Sequence, residues 1–159
     1  MSRGSSHIKG HKLIADIKYK SLTVAKFINY LMLNGKKSVA TTVCYDSLAN
    51  IENLIKSNPL DVFEIALRNA SPVLEVKGRR VGGANYQIPF EVPRARRQTL
   101  AMKWMINAAR DKQGKSMAEF LSHEIIDAYN NQGAAIKKKD EMHRMAEANK
   151  AFAHFAKFV

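Results

Sequence analysis

A mainly α fold is predicted for this chain: one domain of about six helices with a protruding two-stranded β-hairpin arm and a basic N-terminal extension. Three observations carry that expectation. Apolar residues recur at i, i+3, i+4 and i+7 along most of the sequence after residue 20. Between Asn85 and Val92 the period switches to two, as a half-buried strand requires. And 159 residues with 46% hydrophobic content suffice for one core but not for two ordinary domains.

In residues 1–20 no apolar period is sustained, and Gly4, Ser5, Ser6 and Gly10 alternate with bases, which predicts an arm that orders on its partner. Residues 21–159 form the helical domain, with the hairpin at about 73–92. Ser21 is placed to cap a first helix carrying Val24, Phe27, Ile28 and Leu31 on one face, with Gly35 to end it. A second helix from about Lys37 shows the stripe Ala40, Cys44, Leu48, Ile51 and Ile55. Asn58-Pro59 signals the cap and first turn of a third, which presents Phe63, Ala66, Leu67 and Ala70 and stops at Ser71-Pro72. Val73 to Lys77 is a plausible partner for the strand Tyr86, Ile88, Phe90 and Val92, with Gly78 to Gly83 as a glycine-bearing tip. Pro89 and Pro93 cannot donate ladder hydrogen bonds, which favours an exposed ribbon over a central sheet. After Pro93, a fourth helix turns Leu100, Ala101, Trp104, Met105 and Ala108 inward and Arg94, Arg97, Lys103 and Arg110 outward. The capping box Ser116-Met117-Ala118-Glu119 opens a fifth, which buries Phe120, Leu121, Ile125 and Ala128 and stops at Gly133. A sixth begins near Asp140 with Met142, Met145, Ala146, Asn149, Phe152 and Ala153 on one face.

Charge is concentrated. Of a formal +12, two-thirds lies between Lys77 and Lys115, where ten Lys or Arg face only Glu91 and Asp111. A surface of that density releases counterions when it meets regularly spaced negative charge, so nucleic acid is the natural partner. The second basic source is the N-terminal region, where Arg3, Lys9, Lys12 and Lys18 are candidate contacts. Arg79-Arg80, at a glycine-rich tip, and Arg94-Arg96-Arg97, at a helix start, are placed where cations approach a phosphate backbone closely. Lys103, Arg110, Lys137 and Lys138 extend the candidate surface, and the neighbouring Lys139 completes a three-lysine run.

Catalytic and cofactor readings find little support. Ala109 to Ser116 is a permissive match to a phosphate-cradling loop, but its first position is not glycine and it follows a helical stripe instead of a buried strand. His123-Glu124 begins a metalloprotease-like helix motif in which Asp127 stands where the second imidazole belongs, leaving Glu124 as an ordinary solvated charge. Met117, Met142 and Met145 read as core filler, and Cys44 as a small buried hydrophobe. No apolar run reaches the ~18 residues of a membrane span, and the N-terminal stretch has no apolar centre of a secretory signal. No cofactor, metal or small-molecule substrate is expected, nor a membrane. On the residues alone, a DNA-bending architectural protein with a basic ribbon arm is the alternative, although the tip offers only Val81 as an apolar wedge.

A collinear set of motifs resembles a known family. It comprises Lys26-Phe27-Ile28-Asn29 with Met32 and Gly35-Lys36-Lys37-Ser38, then Glu75-Val76-Lys77 with Arg79-Arg80-Val81-Gly82-Gly83. Arg96-Arg97 with Leu100-Ala101-Met102-Lys103-Trp104 follows, then Lys115-Ser116-Met117-Ala118, then the run from His143 to His154. The chain from Asp16 to about Phe155 is similar to small-subunit ribosomal protein seven, the universal family of the ribosomal head. The resemblance implies a structural, non-enzymatic component of translation that binds the 3′ major domain of 16S-type rRNA and nucleates head assembly. It implies a hairpin near exit-site tRNA and the mRNA path, with Arg79, Arg80, Val81, Gly82 and Gly83 closest, and small-subunit proteins nine and eleven as neighbours. The rRNA contacts it implies are Lys36, Lys37, Lys77, Arg79, Arg80, Arg94, Arg96, Arg97, Lys115, His143, Arg144 and Lys150. The expected location is the cytoplasmic ribosome of a bacterium or the ribosome of an organelle.

Overall fold

The structure, a computed structural model, describes residues 13–81 and 83–158. In chain order these form α1 Leu22–Leu31, α2 Lys37–Ile55, α3 Pro59–Ala70, β1 Leu74–Val81, β2 Ala84–Glu91, α4 Arg94–Arg110, α5 Met117–Tyr129 and α6 Gly133–Ala148, followed by a 3₁₀ segment Lys150–Phe158. Arg3, Lys9, Lys12 and Gly82 lie outside the described residues.

Local signals set most boundaries. The Ser21 hydroxyl accepts from the Val24 amide, Asn58 Oδ1 from Leu60 ahead of Pro59, and Ser116 Oγ from Glu119. Each such cap satisfies an orphan donor and contributes about 1 kcal/mol. α5 packs against α2, α3, α4 and α6, so its Leu121, Ile125 and Ala128 are wholly enclosed. Phe27 of α1 meets Phe63 of α3 at 4.9 Å between ring centroids, closing the other side of the core. Burial pushes the Cys44 thiol up to about 12, and the charge of Asp16 adds to the effect, so this sulfur is inert filler. Asp16 also anchors the root of the N-terminal region to α2. One of its oxygens accepts from the Lys18 and Tyr19 amides, the other from the Tyr45 hydroxyl at 2.6 Å.

Several expectations are corrected. Met145 of α6, expected as core filler, is exposed. α4 buries Ala101, Met102, Met105, Ile106, Ala108 and Ala109, so its inward stripe is rotated by about one residue and Leu100 and Trp104 lie at its margin. α6 begins at Gly133 and not near Asp140, because the glycine that follows α5 is itself the first residue of the next helix, at φ +90°. That start puts Lys137, Lys138 and Lys139 within the helix. Glu124 is not solvated: it is fully buried, accepting from Lys112 Nζ at 2.9 Å and from the Ala135 amide at 2.9 Å. It therefore caps α6 from within α5, since α6 has no cap of its own at Gln132.

The ribbon is longer and tighter than the glycines suggested. Antiparallel pairing runs unbroken from Leu74 opposite Glu91 to Val81 opposite Ala84, so Gly78, Arg79 and Arg80 lie in the ladder and not in a loop. Among the described residues of the ribbon, Gly83, at φ +90°, uses the freedom glycine has at the turn. Ile88 is wholly buried on the face that α6 and the 3₁₀ segment cover, and Tyr86 packs on Phe152 at 5.1 Å between centroids. An isolated two-stranded ribbon is marginal in water, and this clasp at its lower half supplies the missing support.

Candidate nucleic-acid interface

Side-chain caps divide the helices into two groups. Ser21, Asn58, Ser116 and, by way of the buried carboxylate, Glu124 satisfy the starts of α1, α3, α5 and α6. α2 and α4 have no side-chain cap and no acid in the first turn. Instead Lys36-Lys37 opens α2, and Arg94, Arg96 and Arg97 open α4. Cations at the positive end of a helix dipole cost about 0.3–1 kcal/mol each, and an arriving anion reverses that cost. These two helix starts are thus unfavourable alone and favourable with phosphate.

At the start of α4 the arginines have different attachments. Arg96 grips Glu75 of β1, with Nε 2.8 Å and Nη2 2.8 Å from Oε2, while Lys77 Nζ approaches Oε1 to 3.1 Å. Arg97 donates from Nε to the Val92 carbonyl at 2.7 Å and meets the exposed Glu91 at 3.5 Å. Arg94 is exposed and, among the described residues, has no carboxylate within ion-pair distance. Arg94 and Arg97 line an open cleft with Thr23, Arg68, Ser71 and Gln98. Sequence reasoning missed Arg68, because a cation in the last turn of a helix is its ordinary dipole partner.

The remaining candidates do not all join this cluster. Lys36 and Arg110 line a separate groove at the far end of α4, about 25 Å from its start at 1.5 Å per residue, and Arg110 donates to the Leu31 carbonyl at 3.1 Å. Lys103 lies over the Tyr30 ring, and Lys115 is 3.9 Å from Glu119. Lys18 sits over both Tyr19 and Tyr45 at 5.2 Å. On α6, Lys138 pairs with Glu141 at 2.7 Å, Lys139 donates to the Asn69 carbonyl, and Lys137 and Arg144 are exposed. The hydrogen bond from Lys138, together with its charge, holds the Glu141 carboxyl below its ordinary value. His143 accepts the Val73 amide on Nε2 at 3.0 Å, which ties α6 to the chain entering β1. Lys150 pairs with Glu147 at 3.0 Å. Arg79 and Arg80 are exposed along the outer ladder.

Ala109 is buried inside α4, and Gly114 at φ +104° makes the turn into the Ser116 cap, so the loop-like spacing here is a helix junction. Among the described residues no group of three His, Cys, Asp or Glu could hold a metal ion, and no helix is long and apolar enough to cross a membrane.

A helical body with cations at two uncapped helix starts and along a clasped ribbon defines a basic, polyanion-binding protein. The family model described as Ribosomal protein S7p/S5e matches residues 3–150. The chain is 54% identical over 153 residues to small ribosomal subunit protein uS7 of Treponema denticola, covering 96% of this chain and 98% of the relative. The uS7 of Moorella thermoacetica is 56% identical over 143 residues, at 90% and 92% coverage, and that of a Bradyrhizobium strain 51% over 155 residues, at 98% and 99%. The chain belongs to the S7p/S5e family of ribosomal proteins, structural and rRNA-binding components of the small subunit and not enzymes.

Proposed function

We propose that this protein binds the 3′ major domain of 16S-type rRNA and nucleates the head of the small subunit, with the tip of its ribbon beside exit-site tRNA and the mRNA path. The observation that carries the reading is the pair of uncapped, cation-loaded helix starts at Lys36-Lys37 and Arg94-Arg96-Arg97, the second of them tied through Glu75 to a ribbon bearing Lys77, Arg79 and Arg80. In this reading residues 1–20 are a basic arm onto the RNA and residues 21–159 the rRNA-binding domain. Lys103, Lys115, Lys137, Lys138, Arg144 and Lys150 add outlying contacts. Small-subunit proteins nine and eleven are its protein neighbours, and its ribosome is bacterial, as the ribosomes of the relatives above are.

Affinity for the 3′ major domain should fall steeply with salt. Six or more phosphate contacts cost about 10³-fold or more between roughly 50 and 200 mM. A filter-binding series checks this, and a flat response would remove phosphate contacts as the basis of recognition.

The tip should be separable from assembly. Replacing residues 80–85 by Asn-Gly, with Arg79→Ala, keeps the Arg79–Tyr86 rung and closes it with a favourable two-residue turn. Subunits carrying this protein are expected to hold the normal protein complement while retaining exit-site tRNA less well or frameshifting more often. Full assembly with both values unchanged would show that the tip does not serve translation here.

A further inference from the structure

Glu75 is an acid in the middle of a surface suited to phosphate. Its side chain is only 8% exposed, while Arg96 and Lys77 around it are each about half exposed, at 51% and 50%. Both carboxylate oxygens are engaged: Oε2 by Arg96 Nε and Nη2 at 2.8 Å, Oε1 by Arg96 Nε at 3.1 Å and Lys77 Nζ at 3.1 Å. Burial pushes the Glu75 carboxyl up, but the hydrogen bonds and charges of Arg96 and Lys77 outweigh it and hold the group below its ordinary value. The contacts join separate elements, since Glu75 and Lys77 belong to β1 and Arg96 to the first turn of α4. Arg96 spends one edge of its guanidinium on Glu75, and the Nη1 edge, which no contact to Glu75 occupies, remains for a ligand.

We infer that Glu75 is a positioning residue for phosphate binding: it fixes Arg96 and Lys77 against each other and so locks the ribbon to the start of α4. The cations of two elements then form one rigid array before RNA arrives. This rests on the rRNA-binding reading above. Without the carboxylate, Lys77, Arg94, Arg96 and Arg97 repel one another, and two long side chains regain rotamers that binding must freeze again. Simple charge counting gives the opposite expectation, because removing an acid raises the net charge and should strengthen binding.

The test compares two substitutions of equal charge change, Glu75→Gln and Glu52→Gln, the latter on the exposed face of α2. Binding of both proteins to 3′ major-domain RNA is titrated over a range of salt concentrations. Glu52→Gln should bind no more weakly than the parent. Glu75→Gln should bind about tenfold more weakly with a faster off-rate, and its salt slope should be shallower by about 1, because at least one phosphate contact is no longer held in place. A purely structural role would lower the bindable fraction and leave the slope unchanged, which would overturn the inference, as would unchanged or tighter binding. Should Glu75→Gln fail to fold, Arg96→Lys carries the same test: it keeps the charge but not the fork, and the same loss of slope is expected. Parental affinity and slope in Arg96→Lys would overturn the inference. If the parent itself binds this RNA without salt dependence, the rRNA reading fails instead, whatever Glu75 does.

Discussion

Alanine at Arg94, Arg96 and Arg97 together is expected to weaken binding to the 3′ major-domain RNA by about 10²–10³-fold, against no more than about threefold for alanine at Lys137, Lys138 and Lys139. Both variants remove three positive charges, so long-range attraction falls equally and the contrast isolates local geometry. Hydrogen bonds to charged groups contribute about 1.5–3 kcal/mol each, and a tenfold change in affinity is about 1.4 kcal/mol, so losing two organised contacts suffices. The arginines open an uncapped helix and two of them are held by Glu75 and the Val92 carbonyl, whereas Lys138 is already paired with Glu141 and Lys139 is spent on Asn69. Equilibrium binding, together with incorporation into reconstituted subunits, measures the difference. Equal losses would show that total charge and not placement governs recognition.

The second large effect is on stability. Glu124→Ala is expected to cost about 2–3 kcal/mol, because it orphans the Ala135 amide inside the protein and leaves a cavity between α5 and α6. Lys112, about a third exposed, can turn to water, which is why the cost stays below that of an ion pair broken deep in a core. For a protein of this size the melting temperature should fall by roughly 5–10 °C, and less for Glu124→Gln, which retains an oxygen for the cap. Gly133→Ala should act on the same joint, since φ is +90° there and an added Cβ would come within 2.9 Å of Asp127 Cβ. Thermal melts followed by circular dichroism give these values. A melting temperature for Glu124→Ala within a degree of the parent would show that the joint does not hold α6.

That joint also marks where sequence reasoning stopped. Ser21, Asn58-Pro59 and Ser116 were readable because a cap and its amide lie within three residues of each other. The cap of α6 comes from eleven residues upstream in a different helix, so nothing local distinguished Gly133 as a start from Gly133 as a stop. Glu124 looked solvated for the same reason: its partners Lys112 and Ala135 are brought together only by the packing of α5. In α4 the Ala- and Met-rich stripe is nearly continuous, so the inward face could be set only to within a residue until α1, α3 and α5 fixed it. The basic surface was visible as composition. Its division into arginines held by Glu75, Val92 and Leu31 and cations left exposed was not, because the Glu75 carboxylate and the Leu31 carbonyl come from other elements, β1 and α1.

The ladder register separates two arginines that the sequence joins. Neighbours on a strand point to opposite faces, and residues directly opposite share one. Arg79 therefore stands with Tyr86, on the side where Ile88 is buried, and Arg80 stands with Asn85 on the other. A polynucleotide lying along one side of the ribbon meets one guanidinium. For an RNA to engage both, the ribbon would have to be inserted like a blade between two strands, or one strand would have to fold round its end, so an RNA bound by the pair would present a crevice and not a flat helical flank.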